Sequence, residues 1–392
     1  VDAVVFDEAH QLNETGVQFL GKMLGTSQLL DFSRDLLAVG LTEARGFGPW
    51  TELAARCELA ARELRLASAG PLRGAVRLRW EERAGRPEFT EALERVRTVS
   101  AEMLEHLVAV ADGGPDLAKL EDRARALAAR VEAFLQAPAH DHVRWIDLTT
   151  HQARLTEAPL DIRETLRAQV EGGSRAWIFT SATLGADPAL SWFTRSVGME
   201  EARTLQAGSP FDYAAHARLY VPTRFPKPGE PAHPGAVAEL AGRCAQALGG
   251  RTFVLTTTLR SLQQIGAALR ERLAPDGIAV FVQGEAPKRA MLAQFLAAPR
   301  GVLVGSHSFW EGIDVPGDAL QCVLIDKLPF PPPNDPLAEA RSRQLEAEGG
   351  NAFNDYFIPE TAIALKQGAG RLIRSETDRG LLVVCDSRLV QM

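Results

Sequence analysis

From Arg218 onward the chain alternates short, wholly apolar runs with longer amphipathic ones, and few folds can accommodate that pattern. The short runs are Leu219-Tyr220-Val221, Thr252-Phe253-Val254-Leu255, residues 278–282, Val302-Leu303-Val304, Val323-Leu324-Ile325 and Leu381-Leu382-Val383-Val384. Between them, residues 234–248, 259–273 and 287–296 carry apolar side chains at helical spacing. A strand that is apolar on both faces must be covered on both faces. Strands alternating with helices therefore predict an α/β fold with a parallel sheet. Residues 226–234 read as a loop, and the proline-rich stretch 329–336 as a stiff extended connector.

Ligand-binding groups in such sheets gather just past the C-terminal ends of the strands. The N-terminal run Val4-Val5-Phe6 delivers Asp7-Glu8-Ala9-His10 to such an end. Paired acids there suit nucleotide hydrolysis: Asp7 to hold Mg2+ through water, Glu8 to polarise the attacking water, and His10 to couple the site to a second domain. The run at 176–180 likewise leads into Ser181-Ala182-Thr183, whose hydroxyls can reach across to the Asp7/Glu8 turn. After Val302-Leu303-Val304 come Gly305, Ser306, Phe309, Trp310, Gly312 and Asp314. Asp314 is placed to meet a ribose and Ser306 a nucleic-acid phosphate. Phe309 and Trp310 either stack on bases or pack inside the domain.

Residues 356–373 have a helical pattern containing Gln367-Gly368-Ala369-Gly370-Arg371-Leu372-Ile373-Arg374. On one continuous helix Gln367, Arg371 and Arg374 would project from a single face. Gly368 and Gly370 lower helix stability, which suggests a close backbone approach. Guanidiniums pair bidentately with phosphate oxygens, so the stretch suits a phosphate chain.

Residues 11–139 are helical in pattern, most clearly over 50–67, 88–111 and 117–135, with breaks at Gly70-Pro71, residues 85–87 and 113–115, and Pro138. Gly16 to Lys22 spell G-x-x-x-x-G-K, but Met23 stands where a phosphate loop needs Ser or Thr, and the stretch reads as helix interior. Arg73, Arg77, Arg79 and Arg83 with Trp80 form the basic–aromatic cluster of this region, open to a single nucleic-acid strand. A strand at 143–148 and a helix at 160–170 follow.

The net charge is -7, so nucleic acid would have to be met by a local groove rather than by global attraction. No apolar run reaches the ~18 residues of a membrane span. Cys57, Cys244, Cys322 and Cys385 are far apart and include no C-x-x-C pair, which predicts reduced structural thiols in a cytoplasmic protein rather than a metal site. The chain opens on Val already inside a strand, so it is expected to be a fragment.

Taken together, the motifs resemble the DinG/XPD group of superfamily 2 DNA helicases. D-E-A-H (7–10), S-A-T (181–183), F-W-E-G-I-D (309–314) and Q-G-A-G-R-L-I-R (367–374) look like that group's motifs II, III, V and VI, and Thr256-Thr257-Thr258-Leu259-Arg260 looks like motif IV. Residues 208–213 and 326–330 are similar to linking segments of bacterial members.

The resemblance implies two RecA-like parallel-sheet domains, the first incomplete. Residues 1–15 and 141–185 would belong to the first, 186–392 to the second, and 16–140 to an all-helical, Arch-like insertion. It implies ATP and Mg2+ as cofactors, with Asp7, Glu8, Arg371 and Arg374 catalytic. His10, Ser181, Thr183, Gly312, Asp314, Gln367 and Gly370 would bind ATP or couple its hydrolysis. Thr257, Arg260, Ser306, Phe309 and Trp310 would meet DNA. The implied activity is 5′-to-3′ translocation on single-stranded and forked DNA. The group's phosphate loop, and the iron–sulfur cluster that many members carry, would lie N-terminal to residue 1. An RNA helicase of the DEAH type and a non-hydrolysing nucleic-acid scaffold are the alternatives. The long insertion speaks against the first, and the intact Glu8, Arg371 and Arg374 against the second.

Overall fold

A computed structural model describes residues 2–72, 74–185, 187–306, 315 and 317–391. The chain separates into two compact units, one of residues 1–180, 194–200 and 332–350, the other of 181–193, 201–331 and 351–392.

In the first unit, β1 (Ala3–Phe6) pairs in parallel with β6 (Ala176–Phe179), Phe6 lying beside Phe179. Between them in sequence come β2 (Lys22–Gly25), β3 (Val76–Arg79), β4 (His142–Leu148) and β5 (Ala153–Pro159), which form an antiparallel sheet in the order β2-β5-β4-β3. Four long helices, Thr26–Glu43, Trp50–Ala69, Pro87–Val108 and Pro115–Leu135, pack with this sheet. Pro87 and Pro115 each occupy a first helical turn, where the missing N–H costs nothing. One hydrophobic cluster joins Phe32, Trp50, Phe89 and Phe134 of the helices to Ile146, Leu148 and Leu155 of the strands. At Gly40 an added Cβ would lie 2.5 Å from Trp50 Cγ, so the absent side chain is what lets the first two of these helices meet.

Two expectations change here. The stretch 16–140 is not all helical, because β2 and β3 lie within it. Each is four residues long, too short to stand out against the helical periodicity around it. Residues 142–159, assigned to the first RecA-like domain, instead form the two central strands of the antiparallel sheet and share the core of the helices. The would-be phosphate loop at 16–22 is the end of helix Leu12–Leu20 running into β2, the reverse of the strand-to-helix order that phosphate binding requires.

The basic–aromatic cluster has structural partners. Arg77 pairs with Asp147 at 2.7 Å and Asp335 at 2.9 Å, and Arg79 with Glu339 at 2.6 Å. Arg83 is buried and donates to the carbonyls of Ser68 and Ala69, closing the end of helix Trp50–Ala69. Trp80 meets Phe89 and Phe134, while Arg73 lies outside the described residues. Asp335 and Glu339 belong to a helix the sequence reading passed over, Pro336–Ala347, capped by Asp335.

The second unit holds β7 (Ala217–Tyr220), β8 (Thr252–Leu255), β9 (Ala279–Val282), β10 (Gly301–Gly305), β11 (Cys322–Ile325) and β12 (Gly380–Val384). All pairings are parallel, in the order β7-β12-β11-β8-β10-β9. Alternate residues of the central strands serve two cores. Val254, Val302, Val304 and Leu324 face helices His233–Leu248 and Leu259–Leu273. Phe253, Leu255, Leu303, Val323 and Ile325 face Met291 and Phe295, with Leu372 and Ile373. This two-sided burial is why the strands read as unbroken apolar runs.

Candidate functional site

In the first unit the two acids singled out from sequence, Asp7 and Glu8, sit where β1 ends. Asp7 is exposed, and one of its carboxylate oxygens accepts from Thr180 Oγ1 at 2.9 Å, just past β6. Glu8 has φ 51° and ψ 41°, the left-handed region that a residue with a Cβ rarely occupies. Such strain persists where the surroundings hold it and is concentrated at functional sites. The turn is held by the Ala9 amide, which donates to the Thr180 carbonyl at 2.9 Å. The His10 ring is nearly buried, with Nδ1 3.3 Å from Glu8 Oε2. The strand therefore presents Asp7 and Glu8 to solvent and anchors Asp7 at one carboxylate oxygen.

In the second unit the register of the sheet lines up the strand ends. Gly305 and Ile325 both pair with Leu255, and Val384 pairs with Ile325. Thr256, Ser306, Asp326 and Cys385 therefore follow the strands in one row. Thr257 donates its amide to Asp326 Oδ1 at 3.1 Å, and its own hydroxyl oxygen is buried. Thr258 caps helix Leu259–Leu273, accepting from Ser261 N, which places Arg260 in the exposed first turn. Ser306 is held through both its amide and its hydroxyl by Gln283 Oε1, at 2.6 and 2.8 Å. Phe309, Trp310, Gly312 and Asp314 lie outside the described residues.

Thr183 is buried and accepts from Gln367 Nε2 at 3.2 Å, and Ser181 Oγ accepts from the Thr183 amide at 3.2 Å. Two of the sequence motifs thus meet directly. The arginines are arranged differently from expectation. The helix carrying Gln367 spans Ile358–Ala369, so Arg371 and Arg374 lie beyond it rather than along its face. Gly368 and Gly370 weaken the last turn, and burial of Leu372 and Ile373 draws the chain off the helix axis. Gly370 is the cap of that helix, in ordinary helical conformation. Arg371 is half-buried and Arg374 exposed. The Asp378 carboxylate receives the amides of Arg374 and Ser375 at 2.8 and 2.9 Å and fixes the turn. Burial draws the Asp378 carboxyl upward, but these donors and the Ser375 hydroxyl outweigh it and hold it below its ordinary value.

Three residues of this neighbourhood were given no role from sequence. Asp326 is 1% exposed, and burial pushes it up to about 6 against the pull of Lys327. Asp386, also buried, accepts from Leu328 N at 3.0 Å and pairs with Arg388 at 2.6 Å, which together hold it low against burial. Gln283 is the third. Each follows a strand by one or two residues, which is the signal that could have found them.

Among the described residues no cluster of three or more His, Cys, Asp or Glu is placed to hold a metal ion, and no helix is long and apolar enough to cross a membrane. Cys57, Cys322 and Cys385 are buried free thiols.

Residues 242–392 match the helicase C-terminal domain family. The ATP-dependent DNA helicase YoaA of Escherichia coli K12 is 34% identical over 394 residues, covering 99% of this chain. The chain is thus similar to helicases of the DinG/XPD-like group of superfamily 2. The ATP-dependent helicase DinG of Mycobacterium tuberculosis H37Ra is 36% identical over 288 residues, which are 71% of this chain and 42% of that protein. The chain spans 60% of the length of the E. coli YoaA relative. The solved structure of S. tokodaii Xpd4 matches 99% of this chain and 72% of its own with a TM-score of 0.60 at 14% identity, a likeness of fold. The parallel-sheet α/β fold and the helicase resemblance thus agree with the reading from sequence.

Proposed function

We propose that this chain supplies the hydrolytic acids and the second RecA-like domain of an ATP-dependent DNA helicase that moves 5′-to-3′ on single-stranded and forked DNA. One observation carries the reading. Residues 180–183 hold Asp7 through the Thr180 hydroxyl at 2.9 Å and Gln367 through the Thr183 hydroxyl at 3.2 Å.

Asp7 would hold Mg2+ through water, and Glu8 would orient and deprotonate the attacking water. Arg371 and Arg374 would stabilise charge on the transferring phosphoryl group, the role in which a guanidinium is most effective. His10, Ser181, Thr183, Gln367 and Gly370 would relay nucleotide state, with Gly312 and Asp314 at the nucleotide. Thr257, Arg260, Ser306, Phe309 and Trp310 would follow the DNA strand. Bound Mg2+ would neutralise developing charge on the phosphates. An iron–sulfur cluster, if the full-length protein has one, would be held by residues outside this chain.

The shared hydrophobic cluster supports an insertion wider than 16–140, one that includes 141–159. The first RecA-like domain would then keep residues 1–15 and 160–185, and the second 186–392. A cytoplasmic location follows from DNA as substrate.

The test is strand displacement on a forked duplex by the full-length protein, with ATP turnover measured alongside. The reading expects both activities in the wild type and neither in Glu8→Gln. Unwinding that persists in Glu8→Gln would overturn it.

A further inference from the structure

Two phenyl rings from distant parts of the sequence meet in the second unit. Phe330 follows β11 by five residues, and its ring stacks on that of Phe353 with centroids 5.9 Å apart and planes 22° from parallel. The Arg388 guanidinium lies 5.1 Å from the Phe330 ring centroid. It is held there by Asp386, which is 1% exposed and accepts from Nε at 2.9 Å and from Nη2 at 2.6 Å. Asp386 also accepts from Leu328 N, so one buried carboxylate fixes both the guanidinium and the backbone that leads to Phe330.

Phe330 is half-buried, whereas Phe353 is 51% exposed. A single exposed phenyl ring is common on protein surfaces. This one is fixed in place. It opens a π-helical turn, Phe353–Phe357, that runs into helix Ile358–Ala369, and Asp355 closes the turn by accepting from Asn351 N at 2.8 Å. Such turns are rare and recur at functional sites. Residues 332–350 belong to the first unit, so the two rings also bracket that excursion of the chain. Bracketing needs only apolar contact. It does not account for a ring held nearly parallel to its neighbour, half open to solvent, with a fixed guanidinium close by. The backbone that Asp386 ties together lies just past β11 and β12, at the edge where parallel sheets bind ligands.

A flat ring ordered in advance by a second ring, with a positive charge nearby, suits an unpaired nucleobase and the phosphate attached to it. We propose that Phe353, backed by Phe330 and Arg388, is a stacking platform for one base of a single DNA strand. Phe353 meets the base, while Phe330 and Arg388 are positioning residues that keep its ring in place. The platform accepts any base, since every base has a π face. This assignment rests on the DNA reading above.

The test is fluorescence anisotropy of labelled oligo-dT, and of a matching strand that is abasic throughout, with the full-length protein. Phe353→Ala should weaken oligo-dT binding by about five- to 150-fold, the usual loss for one stacked base. Phe353→Trp should bind at least as tightly as wild type. Phe353→Leu keeps an apolar clasp but no π face, and should be as weak as Phe353→Ala. On the abasic strand, wild type and Phe353→Ala should bind alike. Wild-type affinity for oligo-dT in Phe353→Leu would overturn the platform and leave a clasp only, and so would an equal loss for Phe353→Ala on both strands. A fall in ATP affinity of Phe353→Ala with oligo-dT binding unchanged would also overturn it, because the ring would then serve the nucleotide. Wild-type protein that binds neither strand would contradict the DNA reading itself, and the platform with it.

Discussion

Arg144 offers the sharpest test of how the first unit is built. Its side chain is 3% exposed and that of its partner Glu157 4%, with Nε 2.6 Å and Nη2 2.5 Å from Oε2. The same guanidinium donates to the carbonyls of Ala133, Phe134 and Gln136, the last turn of helix Pro115–Leu135. It lies 5.2 Å from the Trp80 ring centroid and 5.4 Å from that of Phe134. Arg144→Ala would leave the Glu157 carboxylate buried with only the outlying Lys22 ammonium, 3.3 Å away and itself 56% exposed. The helix end would lose its donors as well. Removing one partner of a buried pair costs about 3–5 kcal/mol, and the exposed Gln136 carbonyl recovers some of that from water. Replacing both partners, as Arg144→Met with Glu157→Leu, should recover most of the loss, because neither charge then remains unpaired. Urea unfolding followed by tryptophan fluorescence measures this, since Trp80 and Trp145 flank the pair. A single variant within about 1 kcal/mol of wild type, the range of an exposed pair, would refute the claim that residues 142–159 share a core with the helices.

Glu8→Gln in the full-length protein should lower kcat for ATP about 10²–10⁴-fold, the usual contribution of a general base, while nucleotide affinity is retained. Gly40→Val should cost about 1–3 kcal/mol in urea unfolding, since its side chain would start 2.5 Å from Trp50 Cγ. Asp326 is raised in the folded protein from 3.8 to about 6, so its contribution to stability is fully present below pH 3.8 and lost as pH rises through about 6. That gap is worth about 3 kcal/mol. Asp326→Asn keeps an oxygen for the Thr257 and Lys327 amides, so it should flatten the stability profile from pH 4 to 7 and equal or exceed wild type at pH 8; an unchanged profile would contradict the assignment. A double-mutant cycle on Thr183→Val and Gln367→Ala should return a coupling of about 0.5–1.5 kcal/mol in stability, the net value of one hydrogen bond.

The parallel sheet of the second unit was legible because strands buried on both faces leave uninterrupted apolar runs, and 252–255 and 302–304 match the observed strands to within two residues. The Asp7/Glu8 turn was legible for the same reason: Val4-Val5-Phe6 announces the strand that delivers it. Of the antiparallel sheet only β4 was, at 143–148. β5 reads Ala-Arg-Leu-Thr-Glu-Ala-Pro, and its buried Thr156 and Glu157 give it no apolar signature. Glu157 is inside only because Arg144 meets it there, a pairing made by tertiary contact rather than by local pattern. The helix through Arg374 was overextended because Leu372 and Ile373 continue the helical spacing, although they serve the second unit's core from a turn.

The most direct test of the proposed chemistry is single-turnover ATP hydrolysis on single-stranded DNA by full-length Arg374→Ala, set beside an equilibrium nucleotide titration. Arg374 is exposed and its backbone is pinned by Asp378, so its side chain can be removed without disturbing a core. The account predicts a fall of at least about a hundredfold in the hydrolysis step, with ATP affinity changed far less and little rescue by Arg374→Lys, because an ammonium lacks the planar fork. A near-normal hydrolysis rate in Arg374→Ala would contradict the assignment of this arginine to the transition state.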